Sequence, residues 1–220
     1  MPSAVTVVIN AAGIGSRLDY GLPKCLVPIL GRPLISWQLD LLGDHEVVVV
    51  AGFRARDVAA HLRSERPDVP IVLNHEFRST GTAASLRLGA RLAQDWVLSL
   101  DGDLLVAPED LTQWLEGGEP LVGVSPRTTT NAVGVTVEDG LATSMGFDVD
   151  SPVEWNGLLR MPAEEVRAFG PGHVFESVQG HLPIRVAECD TVEVDHPQDL
   201  ERASTWLAAR TDESRTAWTS

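Results

Sequence analysis

The chain alternates short apolar runs with stretches of helical spacing. Residues 4–9, 46–51, 71–74 and 96–100 are mostly Val, Ile, Leu and Ala without polar alternation, which predicts strands buried on both faces. Between them, residues 33–42 open with a Pro and place Leu34, Ile35, Leu39 and Leu42 at helical spacing. Residues 56–62 and 82–92 follow as further helices, the second with Ala84, Leu88 and Leu92 on one face. Strand–helix alternation predicts a parallel α/β sheet with right-handed crossovers and ligands at the carboxyl ends of its strands.

After Asp103 the pattern changes. Residues 120–125, 134–137 and 141–145 predict strands, the last two paired across a Glu138-Asp139-Gly140 turn. Short helices are expected at 162–169 and 172–178, strands at 184–189 and 192–194, and an amphipathic closing helix at 197–209. This half reads as mixed and more antiparallel. No repeat or linker divides the chain, so one domain over residues 1–210 is expected, with a flexible polar tail at 211–220.

Composition narrows the picture. With 220 residues and 44% hydrophobic content, the chain suits a single substantial core. A net charge of −14 argues against a nucleic-acid-binding surface. Residues 4–9 are too short for the apolar core of a leader, and no run approaches a membrane span, so a soluble, cytoplasmic protein is expected. Cys25 and Cys189 show neither metal spacing nor a disulfide framework, and no partner motif supports Cys25 as a nucleophile.

The first strand feeds Asn10-Ala11-Ala12-Gly13-Ile14-Gly15-Ser16-Arg17, followed by Pro23-Lys24. Gly13 and Gly15 let backbone N–H groups approach phosphate oxygens, and Arg17 and Lys24 bring charge to neutralise a polyphosphate. A dinucleotide fingerprint needs a third glycine where Leu18 stands, and the Gly-Lys-Ser/Thr of a P-loop is absent. Asp101-Gly102-Asp103 follows a buried strand and offers hard oxygen ligands suited to Mg²⁺, the alternative being a simple turn. Asp195 also reads as an N-cap for the closing helix. Gly81, Thr82 and Ser85 make an ordinary helix start. Glu154 and Trp155 together could hold a cationic amine, whereas Arg78, Arg127 and Arg160 read either as solvated or as holding an anionic phosphonate.

Gly13-x-Gly15-Ser16-Arg17 with Pro23-Lys24-x-Leu26-x-Pro28-x-x-Gly31-x-Pro33-Leu34-Ile35 resembles the sugar-phosphate nucleotidyltransferase superfamily of MobA-like NTP transferases. Within it the chain looks most like small bacterial cytidylyltransferases acting on phosphocholine or phosphonates. The resemblance implies a single-domain, Rossmann-like (GT-A-like), mostly parallel sheet flanked by helices, with a mixed acceptor-binding half. It further implies that Ala11, Ala12 and Gly13 hold nucleobase and sugar, that Gly15, Ser16 and Arg17 wrap the phosphates, and that Lys24 contacts the α-phosphate. Asn74, Gly81, Thr82 and Ser85 would meet the base. Asp103 and Asp195 would hold Mg²⁺ with Asp101 beside them, and Glu154, Trp155, Asn156 and Arg127 would meet the acceptor. The partners implied are CTP and a small phosphate- or phosphonate-bearing acceptor, with no nucleic acid or membrane. The Trp-bearing apolar surface would suit a homodimer. The Ala11-Ala12-Gly13 form favours CTP. A molybdopterin-type enzyme would carry Gly-Gly and Asp-Lys where this chain has Ala12-Gly13 and Pro23-Lys24. A non-catalytic nucleotide sensor would not need the full set of Arg17, Lys24, Asp103 and Asp195.

Overall fold

The computed structural model describes residues 4–15, 17–18, 20–128 and 131–217. Strand β1 (Val5–Ala11) leads into the glycine loop, after which a 3₁₀ turn at Lys24–Leu26 and a small ribbon of β2 (Pro28–Ile29) and β3 (Arg32–Pro33) deliver the chain to α1 (Leu34–Leu42). Then come β4 (Val47–Ala51), α2 (Ala55–Glu65), β5 (Ile71–Leu73), α3 (Thr82–Gly89) and β6 (Trp96–Asp101). These strands lie side by side as β5-β4-β1-β6, all parallel, as the apolar runs predict.

The second half comprises β7 (Leu104–Val106), α4 (Pro108–Leu115), β8 (Leu121–Pro126), β9 (Gly134–Glu138), β10 (Leu141–Gly146), β11 (Val153–Pro162), α5 (Ala163–Val166), α6 (Val174–Val178), β12 (Ile184–Glu188), β13 (Thr191–Glu193) and α7 (Asp199–Ala217). β11 pairs antiparallel with β6 and so joins the halves into a nine-stranded sheet that continues β11-β8-β12-β10-β9. A further pairing of Glu154 with Gly134 brings β9 back onto β11, curling this half toward closure. The β9–β10 hairpin turns at Asp139 and Gly140, both at positive φ, as a two-residue loop of this hand requires.

β7, α4 and β11 were not expected from the pattern, nor was the β2–β3 ribbon. The helix expected from 162 starts only at Ala163 and is four residues long, because residues 153–162 are the longest strand of the protein. The closing helix begins at Asp199 rather than 197, and its backbone continues to Ala217.

The central strands β1, β4 and β6 are buried on both faces. Val7, Ile9, Val47 and Val49 pack under α1 and α2 against Ile35, Leu39, Val58 and Leu62. Val8, Val48 and Val50 face α3 and the short helices of the second half through Leu86, Val174 and Val178. A third cluster joins Leu18, Val27, Ile29, Leu34, Leu105, Val192, Val194 and Leu207. Full burial of such a side chain contributes about 1.5–3 kcal/mol, and this cluster decides where the charged residues between its members come to lie.

Candidate active site

The glycine loop and Lys24 are locked together by packing. Leu18 and Val27 are buried in the third cluster, and the single 3₁₀ turn between Pro23 and Val27 sinks Cys25 into the core while directing Lys24 the other way. Burial pushes the Cys25 thiol up to about 12, which leaves it inert at neutral pH, as the absence of a partner motif indicates. Gly15 sits at φ +66°, and a Cβ there would lie 2.6 Å from Lys24 Cγ, so the loop crosses the lysine stem at a distance only glycine allows. Arg17 is exposed at the loop's far end. Ser16 lies outside the described residues.

The acids arrive from two strand ends. β6 stops at Asp101, the Gly102 N–H donates to Asn10 O at 3.0 Å, and the turn presents Asp103. β13 pairs antiparallel with β7, setting Glu193 opposite Leu104, and the Val194 N–H donates to Asp103 O at 2.9 Å. Val192 and Val194 point into the third cluster, so the alternating Glu193 and Asp195 emerge on the other side. The Asp199 carboxylate accepts the N–H groups of Asp195 and His196 at 3.0 and 2.8 Å. Asp199 thus ties the backbone before α7 to the helix start, and the Asp195 side chain turns to Lys24 and Arg17 instead of the N-cap role its sequence position allowed.

What results is one compact charge cluster. Lys24 Nζ lies 2.7 Å from Asp103 Oδ2 and also donates to Asp195 Oδ1, while Arg17 Nη1 is 2.7 Å from Asp195 Oδ2. Asp103, Glu193 and Asp195 each place an oxygen within 4.8 Å of the others. Glu193 was not singled out in the sequence. The signal available was its spacing of two from Asp195 on a strand whose intervening valine is buried. Burial opposes the Lys24 charge, yet Asp103 and Asp195 outweigh it and hold the amine up to about 12. Glu193 keeps an exposed side chain, and crowding of its carboxylate by the protein around it and by Asp103 and Asp195 raises its affinity for a proton. Asp101 lies outside the three-acid group. Burial and Asp103 raise it to about 7, while Asn10 Nδ2 donates to it at 3.3 Å. Four carboxyls against two cations, two of them held near neutrality by crowding, are a donor set that a divalent cation would relieve. Hard oxygens of this kind suit Mg²⁺.

The remaining candidates divide. Residues 154–157 belong to β11, directly beside β6. Gly157 (φ +92°) approaches the Asp101 carboxylate so closely that a Cβ would sit 3.3 Å from Oδ2. The polar groups on this strand are already engaged. Glu154 is buried and accepts from Thr128 Oγ1 at 3.2 Å, Trp155 Nε1 donates to Leu158 O at 3.0 Å, and Asn156 Oδ1 accepts the Leu158 N–H. An open Glu154–Trp155 box for an amine is not formed. Asn156 Nδ2 is the donor on this strand that is buried without a partner among the described residues. Arg127 lies 3.7 Å from Asp150, and Arg78 rests over the Phe77 ring. Arg160 is neither solvated nor available to an anion. It is buried and donates to the carbonyls of Gln113, Glu116 and Glu119, closing the end of α4.

The second expected base-contacting segment is also occupied structurally. Asn74 Nδ2 donates to Thr80 Oγ1 and Ser85 Oγ, the Gly81 N–H donates to Pro171 O, and Thr82 Oγ1 accepts the Val174 N–H. A Cβ on Gly81 would meet Gly172 O at 2.3 Å, so its glycine serves the approach of another loop. These groups tie α3 to residues 171–174. By contrast Gly13 has open space where a Cβ would point, and Ala11 and Ala12 lie buried at the strand end beneath the loop.

Known proteins share both this fold and parts of this sequence. The structure is similar to that of the inositol-1-phosphate CTP transferase from T. maritima, with a TM-score of 0.81 at 20% identity over 96% of this chain and 97% of that one. It is similar to the CTP:phosphocholine cytidylyltransferase of Streptococcus pneumoniae, with a TM-score of 0.73 at 19% identity over 93% and 99% of the two chains. In sequence it is 32% identical over 195 residues to the bifunctional protein GlmU of Halorhodospira halophila and 36% identical over 158 residues to that of Cutibacterium acnes. The alignments take in 82% and 70% of this chain but only 40% and 34% of those relatives. Residues 7–131, more than half of the chain, match the MobA-like NTP transferase domain, and the chain belongs to that family.

Proposed function

We propose that the protein is a Mg²⁺-dependent nucleotidyltransferase that joins CTP to a small phosphate- or phosphonate-bearing acceptor and releases pyrophosphate. The observation that carries this reading is the meeting of Lys24 and Arg17 with Asp103, Glu193 and Asp195 beside an open glycine loop. Bound at these carboxylates, Mg²⁺ would supply charge neutralisation to the phosphates.

The chain's own residues account for the rest. An acceptor oxygen that is already anionic at neutral pH needs no strong base, so catalysis reduces to positioning and electrostatic stabilisation. The oxygen forms a bond to the α-phosphorus in line with the bond that breaks, and pyrophosphate departs with that electron pair. Lys24, kept protonated by its acidic neighbours, donates to the α-phosphate as charge builds there. Arg17 neutralises the departing pyrophosphate. The glycine loop presents backbone donors to the phosphates, with Ala11–Gly13 at the nucleoside. Gly157 lets β11 approach the Asp101 carboxylate closely, which brings the acceptor half up to the acidic cluster. The choice of CTP rests on the Ala11-Ala12-Gly13 loop and on the CTP-using enzymes that share the fold.

The test is a screen of four NTPs against an acceptor panel that includes phosphocholine, inositol 1-phosphate and 2-hydroxyethylphosphonate, read by pyrophosphate release. Release with CTP and one acceptor, lost on chelation of Mg²⁺, is expected. Release with another NTP alone would move the donor assignment. Nucleotide binding without release across the panel would favour a sensor.

A further inference from the structure

Of the 17 basic residues in the chain, Lys24 is the one lysine, and all the others are arginines. At this position alone the chain carries an ammonium in place of a guanidinium. The two groups differ physically. A guanidinium is a planar fork that grips a carboxylate through two parallel bonds, whereas an ammonium is a compact point charge on a flexible stem. The Lys24 stem runs beside the glycine loop, with Cγ, Cδ and Cε 2.6, 3.4 and 3.5 Å from where a Cβ on Gly15 would lie. Its Nζ donates to Asp103 Oδ2 at 2.7 Å and to Asp195 Oδ1, and these are two of the three carboxylates gathered within ligating distance of one another. Arg17 takes the other Asp195 oxygen at 2.7 Å from an exposed position.

We propose that Lys24 is a displaceable counter-ion of the acidic cluster. It yields Asp103 and Asp195 to a divalent cation and turns to phosphate, so that metal and nucleotide each strengthen binding of the other. This rests on the cluster being the metal site of a nucleotidyltransferase. An ammonium and a divalent cation bonded to the same two carboxylates repel one another at close range, so each lowers the affinity of the cluster for the other. Lys24 can leave by rotation of its terminal bonds, its stem still against Gly15 and the backbone unmoved. The loop along that stem is the one read as the phosphate cradle, so the released amine has a new anionic partner at hand. A guanidinium forked onto Asp195 would be held where it is. Linkage is reciprocal: a nucleotide that draws Lys24 off the carboxylates tightens the metal by the factor by which the metal tightens the nucleotide.

The test reads metal binding and Lys24 itself, not turnover. Because the chain has one lysine, protein labelled with ¹³C,¹⁵N-lysine gives a single lysine side-chain signal by NMR. Mg²⁺ without nucleotide is expected to shift that signal and to speed exchange of its ammonium protons with water about tenfold, as hydrogen bonds to charged groups are lost. In Mn²⁺ titration by electron paramagnetic resonance, Lys24→Met is expected to bind the metal about tenfold more tightly than wild type. CTP should tighten the variant further by no more than about twofold. Arg17→Met removes an equal charge from the other Asp195 oxygen, and as an exposed pair it should change the affinity by no more than about threefold. Equal or weaker Mn²⁺ binding in Lys24→Met would overturn the proposal, as would an equal gain in Arg17→Met. So would Mg²⁺ binding that leaves the wild-type Lys24 signal unmoved, a result that needs no variant to fold. Wild-type protein that binds no Mn²⁺, or binds it undiminished after Asp103→Asn, would sink the metal-site reading along with this one.

Discussion

Lys24, at the edge of the parallel half, and Arg160, in the mixed half, are both largely buried cations, and they are held in opposite ways. Arg160 is surrounded by three backbone carbonyls that cannot move or change charge, so its interactions are complete. Lys24 is surrounded by carboxylates that outnumber the local cations and that raise one another's proton affinity. A cation fixed by carbonyls stabilises the fold. A cation balanced among excess carboxylates could exchange partners, as the proposed transfer requires of Lys24. The sequence of each residue type is the same kind of signal, and only the partners distinguish structure from chemistry.

That contrast is open to direct attack. Lys24→Ala should lower kcat by about 10²–10³, the loss associated with one preorganised charge-stabilising donor. Pyrophosphate release within tenfold of wild type would remove Lys24 from the mechanism. Arg160→Met should behave in the reverse way. Carbonyls left without their charged donor cost about 2–4 kcal/mol, roughly 5–15 °C in Tm, whereas the Mg²⁺ concentration for half-maximal rate should stay within twofold. A stable Arg160→Met protein with altered metal dependence would erase the distinction.

The smallest effect expected is on pH. Burial and Asp103 raise Asp101 from 3.8 to about 7, so the folded protein keeps a proton that the unfolded chain has already released. Stability of the metal-free protein should therefore fall as pH rises from about 4 to about 7. Asp101→Asn keeps an acceptor for Asn10 but carries no charge. It should flatten this slope in urea unfolding, and an unchanged slope would place the proton elsewhere.

The parallel half was largely readable in the chain because its strands are buried on both faces and its loop motif is contiguous. β1, β4 and β6 need only their own composition to declare themselves. β11 does not. Its alternation is broken by the bulge between Trp155 and Leu159, by Gly157 and by a buried arginine whose partners are some 40 residues away. α4 escaped notice because only Leu111 and Trp114 among its eight residues are buried. Glu193 carries no signal of its own within the strand expected at 192–194. Only the pairing of β13 with β7 brings it to Asp103. The hydrogen bonds of Asn74 to Thr80 and Ser85, which hold the start of α3 to β5, were likewise not legible in the chain.

The most direct measurement is Mn²⁺ titration by electron paramagnetic resonance, with wild type, Asp103→Asn and Glu193→Gln, each with and without CTP. The account predicts one wild-type site tightened by CTP, lost in Asp103→Asn and weakened about tenfold in Glu193→Gln. Equal Mn²⁺ affinity in all three proteins, unchanged by CTP, would contradict a metal-assisted transfer site at this cluster.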